Sequence, residues 1–268
     1  MRLILDFTLA LLLASAALAQ EPDQVALIDS TVEKFPPQVD GRTEVYFLGF
    51  AGFGEERVFA EEIKLAAQRV GEKYGSTPRT LLLINDRRDL TTHPLATGVG
   101  LAHALRKIGA AMNREEDVLF LVLSSHGWKD ATIEVSNTGM PARGLAADDV
   151  AMLLRESGIR WQIVVVSACF SGAFVGPLAR NETIVITAAS KSRSSFGCSD
   201  DRDLTYFGEA FFRDALPEAA HLRDAVEASR REIRVRERQE RMRASHPQSY
   251  FGPLMDAKLA EIEAGTAR

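Results

Sequence analysis

Two stretches decide the fold: Leu119-Phe120-Leu121-Val122-Leu123-Ser124-Ser125-His126-Gly127 and Ile163-Val164-Val165-Val166-Ser167-Ala168-Cys169-Phe170-Ser171-Gly172. Each opens as a short, continuous apolar run, the pattern of a strand buried on both faces. Each then turns to small residues and delivers one reactive side chain, His126 in the first and Cys169 in the second.

Similar apolar runs occur at residues 44–50, 81–84 and 184–187. Between them, residues 57–73, 95–112, 145–155 and 204–216 carry apolar side chains at helical spacing. Short apolar strands alternating with helices predict βαβ units: an α/β fold, a three-layer sandwich with a mainly parallel central sheet and helices on both faces. In such sheets functional residues gather beyond the C-terminal ends of the strands. His126 and Cys169 are placed at two such ends on one edge, the arrangement a thiol nucleophile and its imidazole need. Cysteine attacks as thiolate, and histidine promotes its ionisation and protonates the leaving group. Gly127 after the histidine gives a substrate backbone room to approach, and its N–H with that of Cys169 are candidate oxyanion donors. The histidine lies 43 residues before the cysteine. That order matches caspase-type enzymes and is opposite to the papain order.

The chain has 268 residues with a formal net charge of −5. Residues 1–19 hold a weak basic start, an apolar run over 7–19 and Ala17-Leu18-Ala19 before Gln20. This is a signal-peptide pattern, so the expected location is periplasmic or extracellular, with membrane attachment only if the segment stays uncleaved. The remaining 249 or so residues suffice for one large domain. The expected organisation is a lead-in over 20–43, one α/β domain over 44–220, and a charged helical segment over 221–268 packing on or extending it. Its Arg- and Glu-rich part, 222–243, reads as a solvated helix, broken by the prolines and glycine of 245–253.

No basic face interleaved with aromatics is visible, so nucleic acid is not an expected partner. His93, His103, His221 and His246 lack ligand spacing, and no metal is expected. Asp200, Asp201 and Asp203 read as a solvated loop rather than a calcium loop. Gly49, Gly52 and Gly54 lack the Lys-Ser/Thr of a phosphate loop, so no cofactor is expected; they read as a flexible loop bordering a cleft. Cys198, the only other cysteine, reads as a surface or half-buried thiol; a disulfide to Cys169 would silence the nucleophile and is not expected in the active form.

The two strand-end motifs together resemble the legumain family of cysteine peptidases, with caspases, gingipains and separases as more distant relatives. Ser194-Ser195-Phe196-Gly197-Cys198 and Thr205-Tyr206-Phe207-Gly208 are similar to the legumain stretch after the next strand, and the likeness runs from about residue 44 to 214. The resemblance implies a caspase-like fold and a cysteine endopeptidase with a peptide or protein substrate. It implies His126 and Cys169 as the catalytic pair. Glu55 stands where legumains have the histidine-orienting asparagine. The specificity pocket maps to Arg57, to Ser194 with Ser195 as alternative, and to Glu209. Ser167 replaces a pocket glutamate. Loss of that carboxylate leaves Arg57 less compensated, which suits Asp, or Asp and Asn, before the cut bond. An inactive scaffold that binds peptides or protein partners, and a transpeptidase, stay open as alternatives.

Overall fold

The computed structural model describes residues 23–89, 91–199 and 201–266. The leader pattern at 1–19 lies outside them. In chain order the helices are α1 (Gln24–Val32), α2 (Arg57–Tyr74), α3 (Gly98–Ala111), α4 (Ala147–Glu156), α5 (Val175–Leu178), α6 (Tyr206–Gly208), α7 (Leu216–Glu218), α8 (Leu222–Gln239) and α9 (Pro253–Thr266). The strands are β1 (Val45–Ala51), β2 (Thr80–Ile84), β3 (Val118–Ser124), β4 (Thr132–Val135), β5 (Arg143–Ala146), β6 (Trp161–Ser167), β7 (Thr183–Thr187) and β8 (Gln248–Phe251).

Six strands form one sheet in the order β2-β1-β3-β6-β7-β8. All neighbours are parallel except β8, which runs antiparallel to β7. Because successive strand residues point to opposite faces, each central strand feeds two cores. Phe47, Phe120, Val122 and Val165 pack with Phe59 and Ile63 of α2, Phe211, Val226 of α8 and Met255 of α9. Leu48, Leu121, Val164 and Val166 pack with Leu101 and Leu105 of α3, Val150 of α4 and Ile28 of α1. The result is the three-layer, mainly parallel sandwich of the caspase-like class.

Local chemistry sets the helix ends. Thr97 caps α3 by accepting the Gly100 N–H at 2.9 Å, an N-cap bond that satisfies one orphan donor. α2 ends at Gly75 in the left-handed region, as a C-terminal glycine allows. Asp148 and Asp149 sit in the first turn of α4, where carboxylates complement the helix dipole.

Three elements were not foreseen. The lead-in contains α1, capped by Asp23, which accepts from Val25 and Ala26. A β4–β5 hairpin fills the segment after His126. The expected helix over 204–216 is a short α6 followed by a π-helical turn, Glu209–Ala215. The charged tail is also more than a solvated helix. Leu222, Ala225, Val226, Ser229 and Ile233 form a buried stripe along α8. The proline-marked break beyond it supplies β8, whose antiparallel pairing covers the exposed edge of β7.

Candidate active site

Parallel register places the two reactive side chains. Ser124, the last residue of β3, lies opposite Ser167, the last of β6. His126 and Cys169 each follow two residues later, so they leave the sheet at the same height on adjacent strands. Both line one cleft of about 220 Å³, with Phe59, Ser125, Ser167, Ser195, Cys198 and Thr205 among its other walls.

Gly127 has a structural duty beside the one its position suggested. A Cβ there would lie 2.0 Å from the Cys169 carbonyl oxygen, so glycine makes room for the protein's own chain where the two strand ends converge. The hairpin contact beside it uses the His126 carbonyl and the Trp128 N–H. It therefore leaves the Gly127 N–H unbonded among the described residues. After Cys169 the chain turns sharply: Phe170 has φ 57°, a left-handed conformation that costs a non-glycine residue free energy and tends to occur at functional turns. The Phe170 N–H is tied at 2.8 Å to the Arg193 carbonyl of the loop after β7.

The His126 ring is clamped edge-on by Phe53 and Phe59, with centroids 4.7 and 5.0 Å away. Its Nε2 lies 3.1 Å from a Glu56 carboxylate oxygen. Glu55, the expected partner, points elsewhere, to Arg87 at 2.8 Å. Glu56 sits in extended backbone at the N-cap of α2, and neighbouring residues of extended chain point in opposite directions. A one-residue difference therefore exchanges the roles, and nothing in the sequence distinguishes the two glutamates. If His126 is the partner of the thiol, Glu56→Gln is expected to slow Cys169 labelling by a thiol-reactive peptide at least tenfold, since loss of the carboxylate beside the imidazole disturbs its tautomer and charge. Glu55→Gln is expected to stay within about twofold, as surface ion pairs contribute little. Equal effects would refute the assignment.

The Cys169 sulfur accepts the Ser195 N–H at 3.3 Å. A hydrogen bond from the Cys198 thiol, with help from the Ser195 and Ser194 donors, outweighs burial and lowers the Cys169 pKa to about 6. The same contact, with burial, pushes the Cys198 thiol up. Both cysteines are free. Cys198 is thus part of the cleft and stabilises the neighbouring thiolate. Removing its donor in Cys198→Ala takes support from the thiolate only, so the pKa of Cys169 must rise. The pH midpoint of Cys169 alkylation, read by mass spectrometry of its peptide, is expected to move upward from about 6. An unmoved midpoint would assign the lowering to Ser195 and Ser194 alone.

Sequence reading missed Glu62. It projects from α2 beneath the cleft, fully buried. Its carboxylate accepts the hydroxyls of Ser124 at 2.9 Å and of Thr205 and Ser167. Burial dominates those donors and raises its pKa. A carboxylate thus stands against Ser167 after all, delivered from another element. Its only sequence signal is a glutamate one helical turn beyond Phe59, on the apolar face of α2.

The other expected pocket residues do not converge. Ser167 lines the cleft. Ser195 lines it too, while Ser194 faces a neighbouring hollow. Arg57 is exposed and paired with Asp203. Glu209 is surrounded by Arg202 at 2.8 Å, Arg213 at 3.0 Å and Arg236 of α8, and is absent from the cleft wall. The loop with Gly52 and Gly54 is stitched to its surroundings: the Gly52 N–H donates to Ser124 and the Gly54 N–H to Ser136, both at 2.9 Å.

An α/β sandwich that presents cysteine and histidine from adjacent parallel strands defines a class, the caspase-like cysteine peptidases. Within it, residues 95–261 match the model of the peptidase C13 family, and the chain belongs to that family, the legumain-like cysteine peptidases. The match contains His126, Cys169, Cys198, α8 and β8, and so extends further into the tail than the sequence likeness suggested. It begins after α2, so Glu56, Arg57 and Glu62 precede it. No curated protein matches the chain.

Proposed function

We propose that the protein is a cysteine endopeptidase that cleaves after Asp or Asn. The Cys169 thiolate attacks the peptide carbonyl, forming a carbon–sulfur bond and a tetrahedral oxyanion. The Gly127 and Cys169 N–H groups stabilise that oxyanion. Collapse breaks the carbon–nitrogen bond as His126 gives a proton to the departing amine. Water, deprotonated by His126, then hydrolyses the thioester and restores the thiol. With Nε2 turned to Glu56, Nδ1 is the ring nitrogen that exchanges these protons. The carrying observation is geometric: His126 and Cys169 each follow by two residues the paired strand ends Ser124 and Ser167, and both line one cleft.

The preference before the cut rests on the family likeness, which maps Arg57 to the specificity pocket. Arg57 is not among the cleft walls, and its pair with the exposed Asp203 contributes about 0–1 kcal/mol, which leaves the guanidinium able to turn to a substrate carboxylate. The test is labelling of the purified protein with aspartyl and asparaginyl thiol-reactive peptide probes, beside Cys169→Ala and His126→Ala. Labelling confined to Cys169 and faster than with basic or apolar probes supports the reading. Absence of labelling supports a peptide-binding scaffold instead.

A further inference from the structure

Beside the cleft lies a second hollow of about 620 Å³, walled by Lys129, Phe170, Arg193, Ser194, Phe196 and Arg243 among others, with no Asp or Glu in its lining. We propose that this hollow is an acid-selective substrate subsite, which takes an Asp or Glu side chain within three residues of the cut bond. This deepens the peptidase reading above and rests on it.

Three observations carry the proposal. The first is uncompensated charge. Elsewhere the arginines near the site are answered: Arg57 by Asp203, Arg87 by Glu55, and Arg202, Arg213 and Arg236 by Glu209. Among the described residues, Lys129, Arg193 and Arg243 have no ion-pair partner. Three cations around one concavity attract an anion before contact. The second is an unspent donor. The Arg193 Nη1 is buried without a hydrogen-bond partner, a costly state that an incoming carboxylate relieves. A guanidinium is suited to pairing with a carboxylate through two parallel bonds. The third is position. Phe170 directly follows Cys169, and Ser194 and Phe196 flank Ser195, whose N–H meets the sulfur at 3.3 Å. An extended peptide advances about 3.3 Å per residue, so a substrate held at Cys169 brings a side chain one to three residues away over the hollow.

The cations come from three separate parts of the chain: the turn after β3, the loop after β7 and the segment after α8. The phenylalanine rings supply walls for the methylenes of the bound side chain, and Lys129 lies 6.0 Å over the Phe170 ring.

The experiment uses fluorogenic peptides with a fixed residue before the cut and Glu or Gln at each of the flanking positions. At one position the wild-type protein is expected to show a kcat/KM ratio of Glu over Gln of about tenfold or more, the size of a good charge-assisted contact. Raising salt from about 0.1 M to about 1 M is expected to shrink that ratio, because the Debye length falls to about a third. Arg193→Gln is expected to reduce the ratio at least threefold, and Arg193→Glu to turn the preference toward Lys-containing peptides. Lys129 and Arg243 are exposed, so Lys129→Gln and Arg243→Gln keep the test sound if an Arg193 variant misfolds. Cleavage with a ratio near one at every position, or a ratio that none of these variants changes, overturns the subsite and leaves the peptidase reading intact. Absence of both cleavage and Cys169 labelling overturns the peptidase reading and the subsite with it.

Discussion

Cys169→Ala is expected to lower peptide cleavage by about a millionfold, to the level of the uncatalysed reaction or what binding alone provides, because no other group in the cleft can form the acyl bond. Cys198 does not substitute for it. Its thiol pKa is pushed upward by burial and by the hydrogen bond it donates, and the thiol form is not the nucleophile. His126→Ala is expected to cost less, about a hundredfold to ten-thousandfold, the range of lost general acid–base catalysis. Cys169 keeps its Cys198 and Ser195 donors in that variant, and these still favour the thiolate. What disappears is proton delivery to the leaving amine. The two variants should therefore separate in a defined way. A thiol-reactive probe with a good leaving group should label His126→Ala slowly but measurably, and should not label Cys169→Ala at all. Labelling that survives in Cys169→Ala, on Cys198 or elsewhere, would remove Cys169 from the role proposed for it.

Glu62→Ala is expected to produce the largest loss of stability outside the hydrophobic core. It removes a fully buried carboxylate that three hydroxyls address. Each buried hydroxyl left without a partner costs about 1–3 kcal/mol, and the cavity adds to that. A total of about 4 kcal/mol corresponds to a drop in Tm on the order of 10 °C for a domain of this size.

Glu62→Gln isolates the charge. The carboxyl pKa is raised above its ordinary 4.5 in the folded protein, so the folded state holds its proton more tightly than the unfolded state does. The stabilisation from that proton is fully present below about pH 4.5 and is lost as pH rises through the raised value. The Tm of Glu62→Gln relative to the wild type should therefore increase with pH from about 4.5 upward. A difference independent of pH would show that the hydroxyl donors cancel burial and the carboxyl is unshifted, and a difference that changes with pH in the opposite sense would show that the donors outweigh burial.

How much of the site was legible follows from what fixes each residue. His126 and Cys169 could be read because each ends an apolar run, and parallel strands bring their ends to one edge whatever the details of packing. Arg57 and Glu209 could be located only by likeness, and their partners were decided elsewhere. Asp203 answers the first, and Arg202, Arg213 and Arg236 answer the second.

The sequence by itself determined the layered α/β architecture, the five buried parallel strands and the placement of His126 and Cys169 at one edge of the sheet. All of these follow from hydrophobic period and strand direction, which are local properties. Only the tertiary structure decided which of two adjacent glutamates meets His126, that Glu62 brings a carboxylate to Ser167, and that Cys198 shares the cleft with Cys169. It also decided that the charged tail contributes β8 to the sheet, Arg236 to Glu209 and Arg243 to the basic hollow. These pairings join residues far apart in the chain, and their partners are set by burial and charge compensation once the layers have packed. No local pattern encodes that choice.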